Sequence, residues 1–586
     1  MAIFDTILRM LPFCGPPGPA DLGIDTEAED DNPPLNIWTK LPADVLEGIV
    51  GRLSVEDILR LRMVNKFFFR LTLQAAVWER ILLKLKQCKI LVPSLSVHRS
   101  LQNRGRAPPV EATNFDVEYL VLKAVLADDN IRRLAPEYLG ENQLQTSGPV
   151  CEMKLVPGGD VLVVSGLDTE KDQYHWSIFH LHDRRLLSYS FLPVKAYDIK
   201  ANLVRVQGVE GIQVIYKQSE DDPDSDATLT TCYVVFVPLA TPDKHAVLLR
   251  HPLTGLAASY TLVKLPTGAP ICAFYDASKV QFIYDFAQPI LFTLNLPPVI
   301  APGVIVSNCK TEGIYILPRP RLALVVRTGY CNEGFQIAGV QLFNLPQIED
   351  SFLAAHSMKS NYGDRHLFAA QLVTEPWKWF VDIQIADPPD PETSLQVVHV
   401  PPITIYGTLE DSNGTRYFAH HTIWPFFSEG QWKCKAQYVS ELRMGPHRNY
   451  FIPGLQRSLL YGAPPKGPEP YDEPLNVGTY INPPIHSSDK NITGPPFPFD
   501  APRYPLPPVS YCPLLHPDRF RHRGILPQEG PPVIAWDELT GRLCISSGER
   551  PGILVLDHAE ADRFPRTFVG QRGQLETLSA PPIVSN

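Results

Sequence analysis

From about residue 150 onward, the chain repeats one pattern: short runs of β-branched and aromatic residues, each ended by Gly, Pro, Asn or Asp. Clear runs cover residues 160–164, 176–181, 211–216, 232–237 and 322–326. Proline supplies 59 of the 586 residues, about twice its usual share of roughly 5%. Proline suits turns and edge strands better than helix interiors. The pattern therefore predicts many short antiparallel strands, as in a sandwich, barrel or propeller.

The size of this region narrows the choice among these three architectures. Radial repetition of small sheets reaches such a size at about 40–50 residues per blade, whereas a single sandwich does not. We predict an irregular β-propeller of about seven blades over residues 149–560, with two stacked all-β domains as the alternative. Residues 464–532 contain 19 prolines and few strand-like runs, so we interpret them as a long excursion from the propeller. A hairpin over 533–545 and a strand over 552–557 end the region.

One predicted strand carries an aromatic face. Trp377, Trp379, Val381, Ile383 and Ile385 alternate along the chain. Alternate residues of a strand share one face, so these five are expected on the same half-buried face. We expect buried core for Trp377 and Trp379, and also for the aromatic residues of 424–427.

A shorter, helical pattern precedes the strands. Pro42 suits a first helical turn, and Ser54 with Asp57 approximates a capping box at the start of a second helix. Apolar residues then recur at helical spacing, as in Val45, Leu46, Ile49, Val50, Leu53, Ile58, Leu61, Val64, Trp78, Ile81, Leu82 and Leu85. A unit of about forty residues buries little of its own apolar surface. Part of that surface should need a partner, unless these helices cap a larger helical core.

The order of these residues resembles an F-box, as read from Leu41-Pro42, Asp44, Val45-Leu46, Ile49, Leu53, Asp57-Ile58, Val64-Asn65 and Trp78. Asn65 departs from the commoner cysteine or serine, and the three phenylalanines of 67–69 replace a mixed basic and aromatic run. More weakly, residues 536–543 resemble the last-blade hairpin of fungal F-box proteins with propeller-like C-terminal halves.

The resemblance implies a three-helix unit that binds a Skp-family adaptor and, through it, a cullin–RING ubiquitin ligase. The residues implied to bind the adaptor are Leu41, Pro42, Val45, Leu46, Ile49, Leu53, Ile58, Leu61, Val64, Asn65, Trp78 and Leu82.

The predicted fold class is therefore α+β and multidomain, with a small all-α unit followed by a large all-β domain. Residues 1–36 are rich in Pro, Gly and acidic residues and are expected to be a disordered leader. Residues 37–87 form the F-box-like unit, 88–148 a helical linker, 149–560 the β domain, and 561–586 a C-terminal tail.

Composition excludes several function classes. The net charge of −10 argues against a general nucleic-acid binder, which needs a basic face. The ten cysteines include no C-x-x-C pair, so neither a zinc framework nor a dense disulfide scaffold is predicted. No apolar run reaches membrane-spanning length and no signal peptide is evident. We expect a cytoplasmic or nuclear protein.

Candidate catalytic and metal-binding residues are few. His180 and His182 could share one strand face, but the sequence offers no nearby third metal ligand. His420 and His421 are adjacent and should point to opposite faces of a strand. The acidic residues of 220–226 lack the Gly and Glu of a calcium loop. The basic run 519–523 is interpreted as a local docking patch or plain surface rather than an RNA site. No nucleophile elbow, phosphate-binding loop or dinucleotide motif is present, so no cofactor or metal is predicted.

The leading hypothesis is a substrate adaptor whose helical unit binds the Skp-family protein and whose β domain binds the target. Catalysis would belong to other subunits, so the chain is not expected to be an enzyme. Two alternatives stay open. One is a scaffold that acts outside any ligase, and the other is a propeller hydrolase with its site in a central channel.

Overall fold

The computed structural model describes residues 41–50, 52–64, 66–87, 114–131, 138, 140–221, 228–253, 259–264, 269–284, 290–297, 299–301, 304–317, 322–331, 335–345, 361–362, 368–372, 377–386, 403–428, 430–444, 450–454, 457–461, 477–481, 511–513, 532–558, 568–569 and 575–576. The predicted leader 1–36 lies outside these residues. The chain divides into two compact units, Met1–Arg52 and Leu53–Asn586.

The described helices all precede the strands. Helix α1 (Ala43–Val50) belongs to the first unit. The helices of the second unit are α2 (Val55–Arg62), α3 (Lys66–Thr72), α4 (Ala75–Gln87) and α5 (Asn114–Ile131). Helix α5 contains the helical spacing predicted for the linker at Val117, Leu120, Val121 and Ala124, and all four of these residues are buried.

The strands fill the rest of the second unit. They are β1 (Gly140–Leu155), β2 (Val161–Asp168), β3 (Gln173–His180), β4 (Arg185–Leu192), β5 (Tyr197–Val206), β6 (Val209–Asp221), β7 (Thr228–Pro238), β8 (Ala246–Leu253), β9 (Ser259–Lys264), β10 (Pro270–Tyr275), β11 (Lys279–Tyr284), β12 (Ile290–Asn295), β13 (Val299–Ala301), β14 (Val304–Leu317), β15 (Leu322–Cys331), β16 (Gln336–Asn344), β17 (Asn361–Tyr362), β18 (Phe368–Leu372), β19 (Lys378–Ile385), β20 (Ile403–Asp411), β21 (Arg416–Ser428), β22 (Gln431–Arg443), β23 (Tyr450–Ile452), β24 (Arg457–Tyr461), β25 (Val477–Ile481), β26 (Tyr511–Pro513), β27 (Val533–Asp537), β28 (Arg542–Ser546), β29 (Pro551–Asp557), β30 (Phe568–Val569) and β31 (Leu575–Glu576).

Most of these strands pair with their chain neighbours in antiparallel meanders. The sheets run in the orders β27-β28-β29-β1-β2-β3-β4, β5-β6-β7-β8, β17-β12-β11-β10-β9, β13-β14-β15-β16-β18, β19-β20-β21-β22, β23-β24-β25-β26 and β30-β31. Every described pairing is antiparallel except that between β12 and β17. Antiparallel neighbours need only short connections, which fits the frequent turn residues of the sequence.

Successive sheets pack in the manner of a β-propeller. The first or second strand of each sheet contacts that of the next in sequence order: β1 with β5, β5 with β9, β9 with β14, and β14 with β19. Apolar clusters fill the space between neighbouring sheets, as where Val163 and Ile178 of the first sheet pack with Ile212 of the second. The helices followed by this large all-β region confirm the predicted fold class.

Strand β1 joins the two ends of the β region. Its first half pairs with β29, as in Leu144 opposite Ile553, and its second half pairs with β2, as in Leu155 opposite Leu162. The seven-stranded sheet therefore contains two blade-like groups that share β1. With the other large sheets, the described strands form seven such groups.

Two predicted boundaries differ from the observed ones. The first strand begins at Gly140, ahead of the boundary predicted at 149, because its partner β29 lies near the far end of the chain. The proline-rich excursion 464–532 contains β25 and β26, and most of its other residues lie outside the described part. The predicted tail 561–586 is described only at β30 and β31.

The single face predicted for residues 377–385 is wrong. The pairing of β19 with β20 shifts register between Phe380 and Asp382, and such a bulge moves the following side chains to the other face. Ahead of the shift, Trp377 is 58% exposed and Trp379 is also exposed, so the burial expected for both is wrong. Val381 at the shift is exposed as well, whereas Ile383 beyond it is only 3% exposed.

The prediction of buried aromatic residues at 424–427 is wrong for two of them. Phe427 is 62% exposed and Phe426 is exposed as well, whereas Trp424 is half-buried. They lie at the end of β21, beyond the last residue paired with β20, Ile423. Among the described strands, none pairs with β21 on that side beyond Ile423.

Candidate functional site

The first turn of α1 forms as the sequence predicts. The carbonyl oxygen of Pro42 accepts hydrogen bonds from the backbone N–H groups of Val45 and Leu46, each at 3.1 Å. Proline lacks an N–H, which has no helical partner at this position in any case. Leu46 and Val50 are buried, whereas Val45 is 41% exposed.

Helix α2 begins at a side-chain cap. The Oγ atom of Ser54 accepts a hydrogen bond from the backbone N–H of Asp57 at 3.1 Å and donates one to the Asp57 carboxylate at 2.7 Å. This resembles a capping box, except that the acid reaches the hydroxyl of the cap and not its backbone N–H. The helix buries Ile58 and Leu61 and ends in a turn that exposes Met63 and Val64.

A buried arginine connects these helices. Arg62 lies one turn after Ile58 on the buried side of α2, and its guanidinium donates to the Glu118 carboxylate of α5 at 2.6 Å. It also donates to the carbonyl oxygen of Thr72 at 3.1 Å, and the indole N–H of Trp78 donates to the same oxygen at 2.7 Å. One cation therefore joins α2, the end of α3, α4 and α5. The sequence signal was a charged residue at an apolar position, and it was missed.

The other half of α5 contacts the β region. Lys123 lies 3.5 Å from the carboxylate of Asp160, in the turn between β1 and β2. Asp128 pairs with Arg457 of β24, and the Asn130 side chain donates to the backbone of His558 at 2.9 Å. Helix α5 thus fastens the helices of residues 53–87 to three groups of strands: those that contain β2, β24 and β29.

The charged groups near Lys123 form pairs of opposite charge. Arg542 of β28 pairs with Asp557 at 2.5 Å and with Asp160 at 3.1 Å. Burial and Arg542 act to lower the pKa of Lys123, but the neighbouring carboxylates, Asp160 foremost, raise that pKa overall. Buried charges are tolerated where they are paired in this way. The network fixes α5 at the junction of the first and last strands.

The helical segment matches a known domain family. A sequence profile of the F-box-like family matches residues 38–84. Residues 38–84 form an F-box-like domain. The large β-rich region follows this F-box-like domain along the chain, as predicted. A comparison with curated protein sequences finds no similar protein.

Several solved structures show partial similarity to this chain. The WD40 domain of SCAP from fission yeast has 9% identity and a TM-score of 0.33, over 70% of this chain and 82% of that one. Sqt1 from Chaetomium thermophilum, bound to the N-terminus of ribosomal protein L10, has 8% identity and a TM-score of 0.34, over 71% and 98%. Drosophila Plexin A in complex with Semaphorin 1b has 11% identity and a TM-score of 0.34, over 72% and 87%. At these scores the fold assignment rests on sheet order and packing, not on the relatives.

The residues predicted to bind an adaptor fall into three groups by exposure. Pro42, Val45 and Val64 are exposed; Leu41, Ile49 and Leu82 are half-buried; and Leu46, Leu53, Ile58, Leu61 and Trp78 are buried. Asn65 lies outside the described residues. The exposed members can touch a partner directly, and the buried ones can only support them. Their adaptor-binding role stays a prediction. Met63, which the sequence pattern did not single out, is 56% exposed beside Val64.

The histidine pairs do not form metal sites in the described part of the chain. His180 pairs with Asp183, and its ring lies 6.3 Å from that of His182. His420 stacks on Tyr406, whereas His421 contacts Phe380, so the adjacent rings have different neighbours. Within the described ranges, no cluster of three or more His, Cys, Asp or Glu side chains is placed to hold a metal ion. Most of the acidic run and all of the basic run 519–523 lie outside these ranges. No helix in the described part combines the length and apolarity needed to cross a bilayer.

A second apolar surface lies on the β region. We call it the aromatic ridge and define it by three exposed side chains at the start of β19, Trp377, Trp379 and Val381. Tyr330, within β15, and Phe335, directly before β16, are also exposed. The sequence pattern did not identify Tyr330 or Phe335, because nothing local marks them as exposed.

Proposed function

We propose that this chain is a substrate adaptor of a cullin–RING ubiquitin ligase. The F-box-like domain would bind a Skp-family adaptor, and the β region would bind the protein to be modified. The observation that carries the proposal is the F-box-like match at residues 38–84. Exposed aliphatic side chains at Val45, Met63 and Val64 support it, since exposed apolar groups are the usual anchors of a partner surface.

A ligase adaptor must hold its target at a fixed distance from the ligase. Helix α5 suits this role because both of its halves are fastened by buried ion pairs, Arg62 with Glu118 and Asp128 with Arg457. Breaking a buried pair is costly, so the helix is expected to behave as a stiff connection. In this proposal the chain performs no chemistry itself, and it acts in the cytoplasm or nucleus, where such ligases work.

The direct test is capture of a recombinant Skp-family protein by the full chain. We expect the wild-type chain to form a complex and the double variant Val45→Asp/Val64→Asp to lose it, because the buried charges would have no partner. The matched control is Val209→Asp, an exposed valine on β6, which should bind like the wild type. Absence of a wild-type complex, or equal capture by both variants, would refute the proposal.

In the scaffold alternative the chain also binds the adaptor, but turnover of the bound target does not depend on the chain. Proteins that co-purify with the full chain can be followed after the gene is deleted. Slower turnover of one of them supports the ligase role, whereas unchanged turnover of all of them favours a scaffold.

A further inference from the structure

A cavity lies between two neighbouring sheets of the β region. Its volume is about 200 Å³, and its walls come from β8, the edge strand of one sheet, and from the β10–β11 hairpin of the next. Pro252 lines it and is exposed, so the cavity opens to solvent. Pockets for drug-sized ligands measure about 300–1,000 Å³, so this one suits a single side chain. Its other lining residues include His251, Leu253, Phe274, Asp276, Lys279 and Gln281.

Polar groups from both walls meet above an apolar base. Leu253 and Phe274 are buried in the apolar cluster between the two sheets. The His251 ring lies 4.4 Å from that of Phe274, measured between centroids. Phe274 is opposite Gln281 in register, and Lys279 lies two residues before Gln281. Because alternate residues of a strand share one face, these three side chains lie on the face that lines the cavity with His251.

The turn beside the cavity is fixed by hydrogen bonds. One carboxylate oxygen of Asp276 accepts from the backbone N–H groups of Ser278 and Lys279 at 2.7 and 3.0 Å. The same oxygen accepts from the Ser278 hydroxyl at 2.9 Å. From the next sheet, the Arg327 guanidinium donates to the Ala277 carbonyl at 2.8 Å. This wall of the cavity is therefore set before a ligand binds, which reduces the entropy lost on binding.

Arg327 places an uncompensated positive charge behind this turn. Its side chain is 1% exposed, and its other hydrogen-bond acceptors are the Pro297 carbonyl and the Gln341 side-chain oxygen. Among the described residues it forms no ion pair with a carboxylate, and burial lowers its pKa. Buried charges are normally paired, so this part of the β region would gain from a nearby anion.

The cavity itself has positive charge to offer. Lys279 forms no ion pair in the part of the chain that the structure describes. Burial foremost, and the Lys279 ammonium in addition, lower the pKa of His251, against the effect of its hydrogen bond with the Gln281 side chain. The imidazole is therefore neutral at pH 7 and close to the ammonium. Asp276 is the only acid among the lining residues, and Lys279 with Arg327 outweigh its charge.

We infer that this cavity binds the carboxylate of an aspartate or glutamate side chain from the target protein. The Lys279 ammonium would pair with one oxygen, and an N–H of His251 or Gln281 would reach the other. A phosphate is expected to bind less well, because phosphate sites use clusters of arginines and no arginine lines the cavity. The inference rests on the proposed function and names the chemistry that the β region selects in its target.

The test uses the full chain and small probes titrated by saturation-transfer NMR, which detects weak binding. The probes are a capped Gly-Glu-Gly peptide, its glutamine and phosphoserine counterparts, and free glutarate. We expect the glutamate peptide to bind at least about tenfold more tightly than the glutamine peptide, because hydrogen bonds to a charged group are the stronger ones. Glutarate, a carboxylate without a peptide, should bind no more tightly than the glutamate peptide.

Variants at one position locate the site. Lys279→Met keeps the aliphatic stem and removes the charge, so its affinity for the glutamate peptide should fall to that for the glutamine peptide. Lys279→Arg keeps the charge and should retain most of the affinity. The matched control Lys244→Met removes an exposed lysine ahead of the opposite end of β8 and should bind like the wild type.

Four results would overturn the inference. They are equal affinity for the glutamate and glutamine peptides, equal affinity of the two methionine variants, tighter binding of the phosphoserine peptide, and tighter binding of glutarate. The third result would assign the cavity to a phosphate group. The fourth would assign it to a free acid and not to a side chain of the target.

Adaptor capture separates this inference from the proposed function. Both Lys279 variants should melt like the wild type and still capture the Skp-family protein, because Lys279 lies outside residues 38–84. If capture is normal while the glutamate peptide fails to bind, only the cavity assignment fails. If the wild-type chain captures no adaptor, the proposed function fails.

Discussion

The two apolar surfaces of the second unit differ in chemistry and in support. The turn after α2 exposes the aliphatic side chains of Met63 and Val64 directly after the buried Arg62. The aromatic ridge exposes larger rings on a strand held by Gln336. The contacts of Arg62 beside the first surface are buried, whereas those of Gln336 with Phe380 are partly buried. Under the proposed function, the helical surface would bind the Skp-family adaptor, and a surface of different chemistry would be left for another partner.

The largest expected effect comes from breaking the support of the helical surface. Arg62→Met leaves the Glu118 carboxylate buried without its cation, which should lower the free energy of unfolding of the helical part by about 3–5 kcal/mol. Urea unfolding followed by helical circular dichroism measures this loss. The double variant Arg62→Met/Glu118→Leu removes both charges and should recover most of it. Equal stability of the single and double variants would contradict the role assigned to Arg62.

Lowering the pH should affect the stability of the helices of residues 41–87 and that of the β region differently. Residues 41–87 contain no histidine, whereas burial lowers the pKa of His420 in β21 to about 3. Between that value and the unfolded pKa of about 6.5, the unfolded chain binds more protons, so stability falls as the pH falls.

From pH 7 to pH 5, the loss from His420 is about 2 kcal/mol. His420→Phe should remove that share of the acid sensitivity, which thermal melting at both pH values would show. An unchanged difference between the two melting temperatures would exclude His420 as the cause.

A smaller effect is expected at the support of the ridge. Gln336→Ala leaves both backbone groups of Phe380 without their partner, which should cost about 1–2 kcal/mol of stability. Adaptor capture should be unchanged, because Gln336 lies outside residues 38–84. Gln336→Glu keeps the acceptor and loses the donor, so its effect should lie between the wild type and the alanine variant. Unchanged stability of both variants would show that Gln336 does not support the backbone of the ridge.

The smallest effect on stability is expected at the exposed turn. Met63→Asp should change the free energy of unfolding by no more than about 0.5 kcal/mol, because the side chain is exposed. Adaptor binding should nevertheless weaken about tenfold, a loss of about 1.4 kcal/mol. Titration of the Skp-family protein against the variant measures it. Unchanged affinity would remove Met63 from the partner surface.

The sequence predicted those features that depend on nearby residues. The cap at Ser54, the buried stripe with Ile58 and Leu61, and the hairpin of β27 and β28 are local patterns, and the structure shows each of them. The burial of Arg62 could also have been predicted, because helical spacing places this cation on the same side of α2 as Ile58.

Features that depend on distant residues were not predictable in this way. Strand β1 begins early because it pairs with β29, which lies about four hundred residues further along the chain. The ridge depends on a register shift in β19 and on Gln336 from another sheet. Alternation of apolar residues cannot show either one, since it assumes an uninterrupted strand.

Hydrogen exchange of the full chain, with and without a Skp-family protein, tests the central claim most directly. Backbone amides within residues 41–64 should become protected when the adaptor binds, whereas amides of 377–381 on the ridge should exchange at the same rate in both samples. Unchanged exchange over 41–64, or protection of the ridge instead, would contradict the assignment of the helical surface to the adaptor.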